Sequence, residues 1–205
     1  MQLTSSCRIA RAHSPASSVS LWGIGVLSFS VNAVRRLAQF DAQMFLSINA
    51  LHRHFRLERV VRAVSFTGDG HFYVLLALIL PLLYPVAGQH FLVTGLLCFA
   101  LELPLYWVLK RSFKRRRPFK VVQALAPLLQ PSDEFSFPSG HTTAAFMVAC
   151  LISVFFPAAS AVVYCWASLV GMSRVMLRVH FISDVMAGVL LGTSIALLAL
   201  SIAGH

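Results

Sequence analysis

The sequence predicts an all-α protein, a multi-pass transmembrane helix bundle with one amphipathic helix at the membrane interface. Of its 205 residues, 58% are hydrophobic and only 12% are charged, whereas a soluble domain is about half apolar and about a quarter charged. Apolar runs also recur along the chain at about the length that crosses a bilayer, roughly 20 residues. The chain contains no repeat, low-complexity segment or linker, so we expect one domain covering residues 1–205.

Five apolar runs predict membrane spans. They are interrupted by short turns or by polar segments, and they cover residues 71–87, 91–109, 141–156, 158–177 and 184–202. The one long polar connection predicted lies between the second and third spans, from Lys110 to Ser139.

A sixth helix is predicted at the N-terminal end, over residues 19–34, "VSLWGIGVLSFSVNAV". The alternative is a signal peptide, with Arg8 and Arg11 ahead of the apolar run. Arg35 and Arg36 follow the run directly and argue against translocation and cleavage, so a retained helix is favoured.

The segment between Arg35 and Arg62 predicts the interfacial helix. Its apolar residues recur at helical spacing among arginines, which is typical of a helix lying in the membrane surface. These apolar residues include Leu37, Phe40, Met44, Phe45, Ile48 and Leu51.

The net charge of +10, from 17 Lys and Arg against 7 acids, indicates an anionic partner. A membrane bundle favours membrane lipids or a phosphorylated lipid as that partner over nucleic acid, which we do not expect to bind. The sequence leaves protein partners undetermined. Three of the four cysteines lie inside apolar runs, so they are interpreted as small buried hydrophobes, and neither a metal site nor a cofactor is expected.

Three polar clusters stand at the ends of the predicted spans. The first is "KRSFKRRRPF", residues 110–119, with six positive charges in ten residues. The second is "FPSGHTTAAF", where Ser139 and Gly140 precede a helix. There the backbone N–H groups of Ser139, Gly140 and His141 are expected to point outward at a positive dipole end, which suits an anion. The alternative is that Ser139 is an ordinary N-cap.

The third cluster, "SRVMLRVHFISD", places His180 four residues before Asp184. One helical turn would bring that imidazole and carboxylate onto one face. The alternative is that Asp184 caps the last helix and His180 lies on the surface. If the five spans alternate, Lys110, His141, Arg174 and Asp184 all fall at helix ends on one side of the membrane, which predicts a site within residues 110–184.

These clusters resemble the signature of the type 2 phosphatidic acid phosphatase superfamily, which is Lys-x6-Arg-Pro, Pro-Ser-Gly-His and Ser-Arg-x5-His-x3-Asp. Every spacing matches, and "TGDGHF" upstream is a weaker similarity. The matching residues are Lys110, Arg117, Pro118, Pro138, Ser139, Gly140, His141, Ser173, Arg174, His180 and Asp184.

The resemblance implies that His180 is the nucleophile, that Asp184 holds its other ring nitrogen, and that His141 protonates the leaving group and then activates water. It also implies that fixed side-chain cations and hydrogen-bond donors neutralise the phosphoryl oxygens without a metal. That phosphate-binding set is Lys110, Arg117, Ser139, Gly140 and Arg174.

The implied function is hydrolysis of a membrane lipid phosphate or diphosphate through a phosphohistidine. Undecaprenyl diphosphate, phosphatidylglycerophosphate and phosphatidic acid are all candidate substrates. A lipid-to-lipid phosphotransferase and a non-catalytic binder of anionic lipid remain alternatives, while the membrane spans disfavour a haloperoxidase.

The rest of the basic run is interpreted as a surface patch that gathers anionic headgroups, comprising Arg111, Lys114, Arg115, Arg116 and Lys120. Because nearly all basic residues lie on the site face, the positive-inside rule predicts a cytoplasmic site. Membrane-bound relatives act on the periplasmic or lumenal face, so we expect a bacterial inner-membrane protein with a periplasmic site.

Overall fold

The computed structural model describes residues 21–50, 55–122, 125–131 and 133–205, with backbone alone at 21–31 and 55–56. Within these ranges the chain forms helices, turns and irregular segments, with no strand. It falls into two units, Met1–Ala38 and Gln39–His205, and the second unit contains every predicted site residue. The predicted organisation as one domain stays a prediction.

The helices of the described chain are numbered in order. They are α1 Leu21–Ala50, α2 Phe55–Thr67, α3 Gly70–Leu83, α4 Pro85–Phe113, α5 Pro118–Val121, α6 Gly140–Phe155, α7 Ser160–Met176 and α8 Ile182–Ala203, with a 3-10 turn at Pro157–Ala159 before α7.

All five predicted apolar runs are helical, as α3, α4, α6, α7 and α8. The boundary between the first two differs from the prediction: α3 stops at Leu83 and α4 starts at Pro85. The cause is Pro85, because a residue before proline is disfavoured in helical conformation while proline itself suits the first position of a helix. At its other end α4 continues to Phe113 and closes on Lys114 in the left-handed conformation, at φ 46°.

Among the described residues, three helical segments are long and apolar enough to cross a membrane: Pro85–Val121, Pro157–Met176 and Ile182–Ala203. A fourth is obtained if Leu57–Thr67 and Gly70–Leu83, bent by 51°, count as one span. Helix α6 is apolar but has only 16 residues. The predicted count of five or six spans therefore stays a prediction.

The predicted division of the N-terminal region is wrong in one respect. Residues 35–50 continue α1 from its start at Leu21, and a separate helix, α2, begins at Phe55. No proline or glycine interrupts residues 35–50, so nothing ends the first helix where the prediction placed its boundary. Arg8 and Arg11, on which the signal-peptide alternative depended, lie outside the described residues.

Helix α6 forms the centre of the second unit and packs on α8, α7 and α4. Its contact with α8 is close because of glycine. A Cβ added to Gly192 would lie 2.2 Å from the Thr143 backbone oxygen, and one added to Gly188 would lie 2.8 Å from the Ser139 oxygen. Backbone thus meets backbone, which brings the N-terminal ends of α6 and α8 together, where the Ser139 N–H donates to the Asp184 carbonyl at 3.1 Å.

Large apolar side chains cover much of the outer surface of the helices. Leu82, Val86 and Val162 are 81%, 73% and 71% exposed. An exposed apolar surface on this scale is typical of helices that face lipid.

Candidate active site

His180 and Asp184 meet at a turn between two helices. Helix α7 ends at Met176, and the N–H groups of Val179 and His180 donate to the Arg174 carbonyl at 3.2 and 3.3 Å. Asp184 lies in the first turn of α8 and its Oδ2 caps the Phe181 N–H at 2.9 Å. The predicted continuous helical turn is therefore wrong: the carboxylate reaches His180 by capping the next helix.

The His180 ring points its Nδ1 at Asp184 Oδ2 across 3.7 Å, longer than a hydrogen bond. The ring is only 3% exposed. Burial lowers the pKa of His180 to about 4, because the charged imidazolium loses its hydration; Asp184 opposes this effect and the positive charges of Arg174 and Arg117 add to it. The ring is consequently neutral at pH 7.

Lys110 and Arg117 lie together beneath the loop that follows α5. They are 3% and 2% exposed, and Arg117 Nη1 donates to the Val179 carbonyl, next to His180, at 2.8 Å. Both cations also bind one carboxylate that sequence reasoning did not assign, that of Asp133. The Tyr106 hydroxyl donates to the same carboxylate at 2.8 Å. The two predicted phosphate-binding cations thus converge on a single anionic group.

The start of α6 departs from the prediction at Ser139. Its N–H is paired with Asp184, and its buried hydroxyl pairs with Thr142 Oγ1 at 2.9 Å. The expectation that the Ser139 N–H points outward unpaired is wrong, because the close α6 to α8 contact uses it. Helix α6 begins at Gly140, so the N–H groups of Gly140 and His141 have no partner within the helix. A Cβ on Gly140 would lie 3.0 Å from the Tyr106 ring.

His141 is held by an acid from another part of the chain. Its Nε2 lies 2.7 Å from Oδ1 of Asp69, which stands in the turn between α2 and α3. Sequence reasoning did not assign a role to Asp69. The signal that could have found it is the "TGDGHF" similarity, since Asp69 is its acidic residue.

Arg174 lies at the C-terminal end of α7, 4% exposed, with its Nη1 donating to Ser65 Oγ at 2.5 Å. Its Nε is buried and has no hydrogen-bond partner within the described residues. A cavity of about 390 Å³ opens here, lined by Arg62, Ser65, Phe66, Asp69, Leu129, Gln130, Pro131, His141, Arg174 and Leu177. A second, of about 600 Å³, lies by Arg117 and Asp133 and shares Gln130 and Pro131 with the first.

Arg115 is not part of a surface patch, which corrects the sequence interpretation. Its guanidinium binds two fully buried carboxylates, donating to Asp184 Oδ1 at 2.7 Å and to Asp41 of α1. It also donates to Ser183 Oγ at 2.5 Å. The interpretation failed because the buried acid Asp41, 74 residues away in sequence, gave no local signal. The remaining basic residues of the predicted patch are exposed: Arg111, Lys114, Arg116 and Lys120.

Over the described residues, no group of three or more His, Cys, Asp or Glu side chains is arranged to hold a metal ion.

Comparison with known proteins identifies the family of this chain. The PAP2 superfamily profile matches residues 91–204. The chain is 42% identical over 108 residues, 47% of its length, to phosphatidylglycerophosphatase B of Bacillus subtilis. For three relatives matched by sequence, the aligned segment covers 33% to 50% of the relative's length.

Two solved structures share the fold over most of their length. LpxE of Aquifex aeolicus superposes with a TM-score of 0.68 at 28% identity, covering 78% of this chain and 93% of that one. A transmembrane PAP2-type phosphatidylglycerolphosphate phosphatase from Bacillus subtilis superposes with a TM-score of 0.67 at 27% identity, covering 86% and 92%. With its apolar helices, this chain is an integral membrane protein. The predicted resemblance is confirmed, and the chain belongs to the PAP2 superfamily.

Proposed function

We propose that this protein hydrolyses a phosphate or diphosphate group on a membrane lipid, through a phosphohistidine at His180. The observation that carries the proposal is a buried imidazole beside a buried carboxylate, with Lys110, Arg117 and Arg174 close by, and the same burial lowers the pKa of His180. A neutral imidazole can attack phosphorus, and the surrounding cations can neutralise the phosphoryl oxygens without the desolvation that free ions would require.

The attacking atom is His180 Nε2. Because Nδ1 faces Asp184, Nε2 is the nitrogen left to face a substrate. Attack forms the Nε2–P bond while the bond from phosphorus to the lipid oxygen breaks. The ring then carries a positive charge, and Asp184 at 3.7 Å is positioned to stabilise it. Water subsequently breaks the Nε2–P bond and releases phosphate.

Three cations neutralise the equatorial oxygens of the phosphoryl group. Arg117 is held beside His180 through the Val179 carbonyl, and Arg174 has a buried Nε donor available. Lys110 lies with Arg117, and the Gly140 N–H at the start of α6 adds a backbone donor. Ser139 contributes differently from the prediction: since its N–H and hydroxyl are engaged within the protein, it positions α6 against Asp184.

His141 acts as the acid and then the base. Asp69 accepts the N–H at His141 Nε2 and stabilises the ring in its protonated form, against the burial that lowers the pKa of His141. The imidazolium gives its Nδ1 proton to the departing lipid oxygen, and the neutral ring then takes one from the attacking water. His141 also lines the 390 Å³ cavity together with Arg174, so a leaving group in that cavity would be within reach of it.

The two histidines can be separated by experiment. His180→Ala should form no phosphoenzyme with any substrate, because the nucleophile is gone. His141→Ala should lose activity on a lipid phosphate but regain phosphoenzyme formation on an activated aryl phosphate, whose leaving group needs no proton. The measurement is rapid-quench trapping of acid-labile phosphate on purified protein in detergent. Equal rescue of both variants, or phosphoenzyme in His180→Ala, would contradict the assignment.

The lipid substrate is proposed as a class. Undecaprenyl diphosphate, phosphatidylglycerophosphate and phosphatidic acid each carry a terminal phosphoryl group that the cluster of cations could bind. Comparing kcat/KM for these three lipids in mixed micelles would rank them. Release of free phosphate in amounts equal to the lipid consumed would distinguish hydrolysis from transfer of the phosphoryl group to another lipid.

We place the protein in the bacterial inner membrane with its site on the periplasmic face. Support comes from the pairing of the basic residues: Lys110 and Arg117 bind Asp133, and Arg115 binds Asp41 and Asp184. Because these cations are accounted for by contacts within the site, their presence on this face is weak evidence that the face is cytoplasmic.

A further inference from the structure

The carboxylate of Asp133 lies between the charged groups of Lys110 and Arg117 and contacts both of them. It accepts hydrogen bonds from Lys110 Nζ through one oxygen and from Arg117 Nη2 through the other. Tyr106 adds a hydroxyl donor at 2.8 Å, and Arg117 Nε binds the Asp133 backbone oxygen at 3.1 Å. The side chain of Asp133 is 29% exposed while those of Lys110 and Arg117 are 4% and 2% exposed, so the acid covers two buried cations.

Two buried cations without a counter-charge would be costly to the fold, and the carboxylate removes that cost. Burial acts to raise the pKa of Asp133, but the hydrogen bond and charge of Lys110, followed by the charge of Arg117, outweigh it and hold the pKa below its usual range. Asp133 therefore remains ionised at neutral pH.

A phosphoryl group on His180 would need the same donors. The N–H groups that Lys110 and Arg117 direct at the carboxylate cannot also point at phosphate oxygens, so the two anions compete for them. The surrounding membrane is rich in phosphodiester headgroups, which carry one negative charge, as a carboxylate does. A phosphate monoester carries close to two at pH 7.

We propose that Asp133 is a specificity-determining residue. Its carboxylate competes with anionic ligands for Lys110 and Arg117, so an anion binds only if it interacts with these two cations more strongly than Asp133 does. This inference rests on the proposed function and adds to it. A singly charged diester that replaces the singly charged carboxylate gains no charge interaction, so the abundant diesters do not displace Asp133. A doubly charged phosphoryl group gains from the exchange and displaces Asp133.

The test compares Asp133→Asn with a matched control, Glu134→Gln, which removes the same charge from the neighbouring exposed acid. The affinity for inorganic phosphate is measured at pH 7.5 by calorimetry, which needs no turnover. The KM for a phosphate monoester lipid and the inhibition constant of phosphatidylglycerol, a diester, are measured in mixed micelles.

In Asp133→Asn the dissociation constant for phosphate and the KM should each fall about tenfold, as expected for loss of one competing charge-assisted contact. Phosphatidylglycerol should become a measurable inhibitor. Phosphate should also raise the Tm of Asp133→Asn more than that of the wild type, because it restores the missing counter-charge. Glu134→Gln should stay within about twofold of the wild type, since an exposed charge is screened.

Weaker or unchanged phosphate binding in Asp133→Asn overturns the inference. An equal effect in Glu134→Gln also overturns it, because it would show that any negative charge in this loop weakens phosphate binding. A cooperative unfolding transition measured without phosphate separates this result from misfolding, because a misfolded variant shows none. If the wild type binds phosphate yet hydrolyses no lipid phosphate, the proposed function fails while competition by Asp133 is still measured directly. If hydrolysis occurs and the variants bind phosphate alike, the inference alone fails.

Discussion

Arg115 lies in the same basic run as Lys110 and Arg117, but it acts on a carboxylate of the protein. It binds Asp184, the partner of His180, and joins it to Asp41 of α1. Both acids are fully buried, so the guanidinium is their shared counter-charge. A planar fork can bridge two carboxylates in a way that an ammonium cannot. The neighbour Arg116 is exposed and serves as a control within the same run.

Arg115→Ala is expected to lower kcat by about two powers of ten or more, because removing one partner of a buried ion pair costs about 3–5 kcal/mol and here leaves Asp184 out of position. Arg115→Lys should recover part of the loss. Arg116→Ala should change only KM, and chiefly at low salt. The measurement is kcat and KM at two ionic strengths. Arg115→Ala behaving like Arg116→Ala would show that the network does not support His180.

At the scale of helices, the contact between α6 and α8 positions the site. Helix α6 begins beside His141 and α8 carries Asp184 in its first turn. Their backbones approach closely where Gly192 faces Thr143. A methyl group at this point has no room, since the neighbouring atom is backbone and cannot rotate away.

Gly192→Ala should therefore separate the two helices, lowering the free energy of unfolding by about 2–3 kcal/mol or more and reducing kcat. The control is Gly95→Ala in α4, where a Cβ would meet Leu151 Cδ1 at an ordinary 3.8 Å. That variant should be as stable as the wild type or slightly more stable, because alanine favours the helix by about 0.5–1 kcal/mol. Thermal unfolding and activity in detergent are the measurements. A stable, active Gly192→Ala would contradict the packing argument.

At the scale of the whole molecule, the site lies at one end of the helices. Gln89 near the start of α4 and Lys110 near its end are about 30 Å apart along the helix axis at 1.5 Å per residue. Glu134, in the site loop, and Gln89 are both exposed. They therefore report on opposite faces of the membrane.

A single cysteine at each of these positions tests the proposed periplasmic site. With Cys7 and the exposed Cys165 replaced by serine, a membrane-impermeant maleimide added to intact spheroplasts should label Glu134→Cys and spare Gln89→Cys until the membrane is permeabilised. The reverse pattern would place the site on the cytoplasmic face, as the positive-inside rule predicts.

Local patterns in the sequence were sufficient to predict most helices, and they supply the residues that we propose for the site. Apolar runs predict α3, α4, α6, α7 and α8 because the length and hydrophobicity that suit a bilayer are properties of contiguous residues. The residues of the three signature clusters were identifiable because, within each cluster, they are close together in sequence and stand at the end of a predicted helix. The boundary at Pro85 was missed, and so was the continuation of α1 to Ala50, since both depend on where a helix is stopped.

The partners of the charged side chains were decided only by the tertiary structure. Asp69 and His141 are 72 residues apart, Asp41 and Arg115 are 74 apart, and the pairing of Asp133 with Lys110 joins a loop to a helix 23 residues away. A buried charge takes whichever counter-charge the packed helices bring within hydrogen-bond distance, and that choice depends on contacts such as Gly192 against Thr143. Those contacts leave no periodic or local trace in the order of the residues.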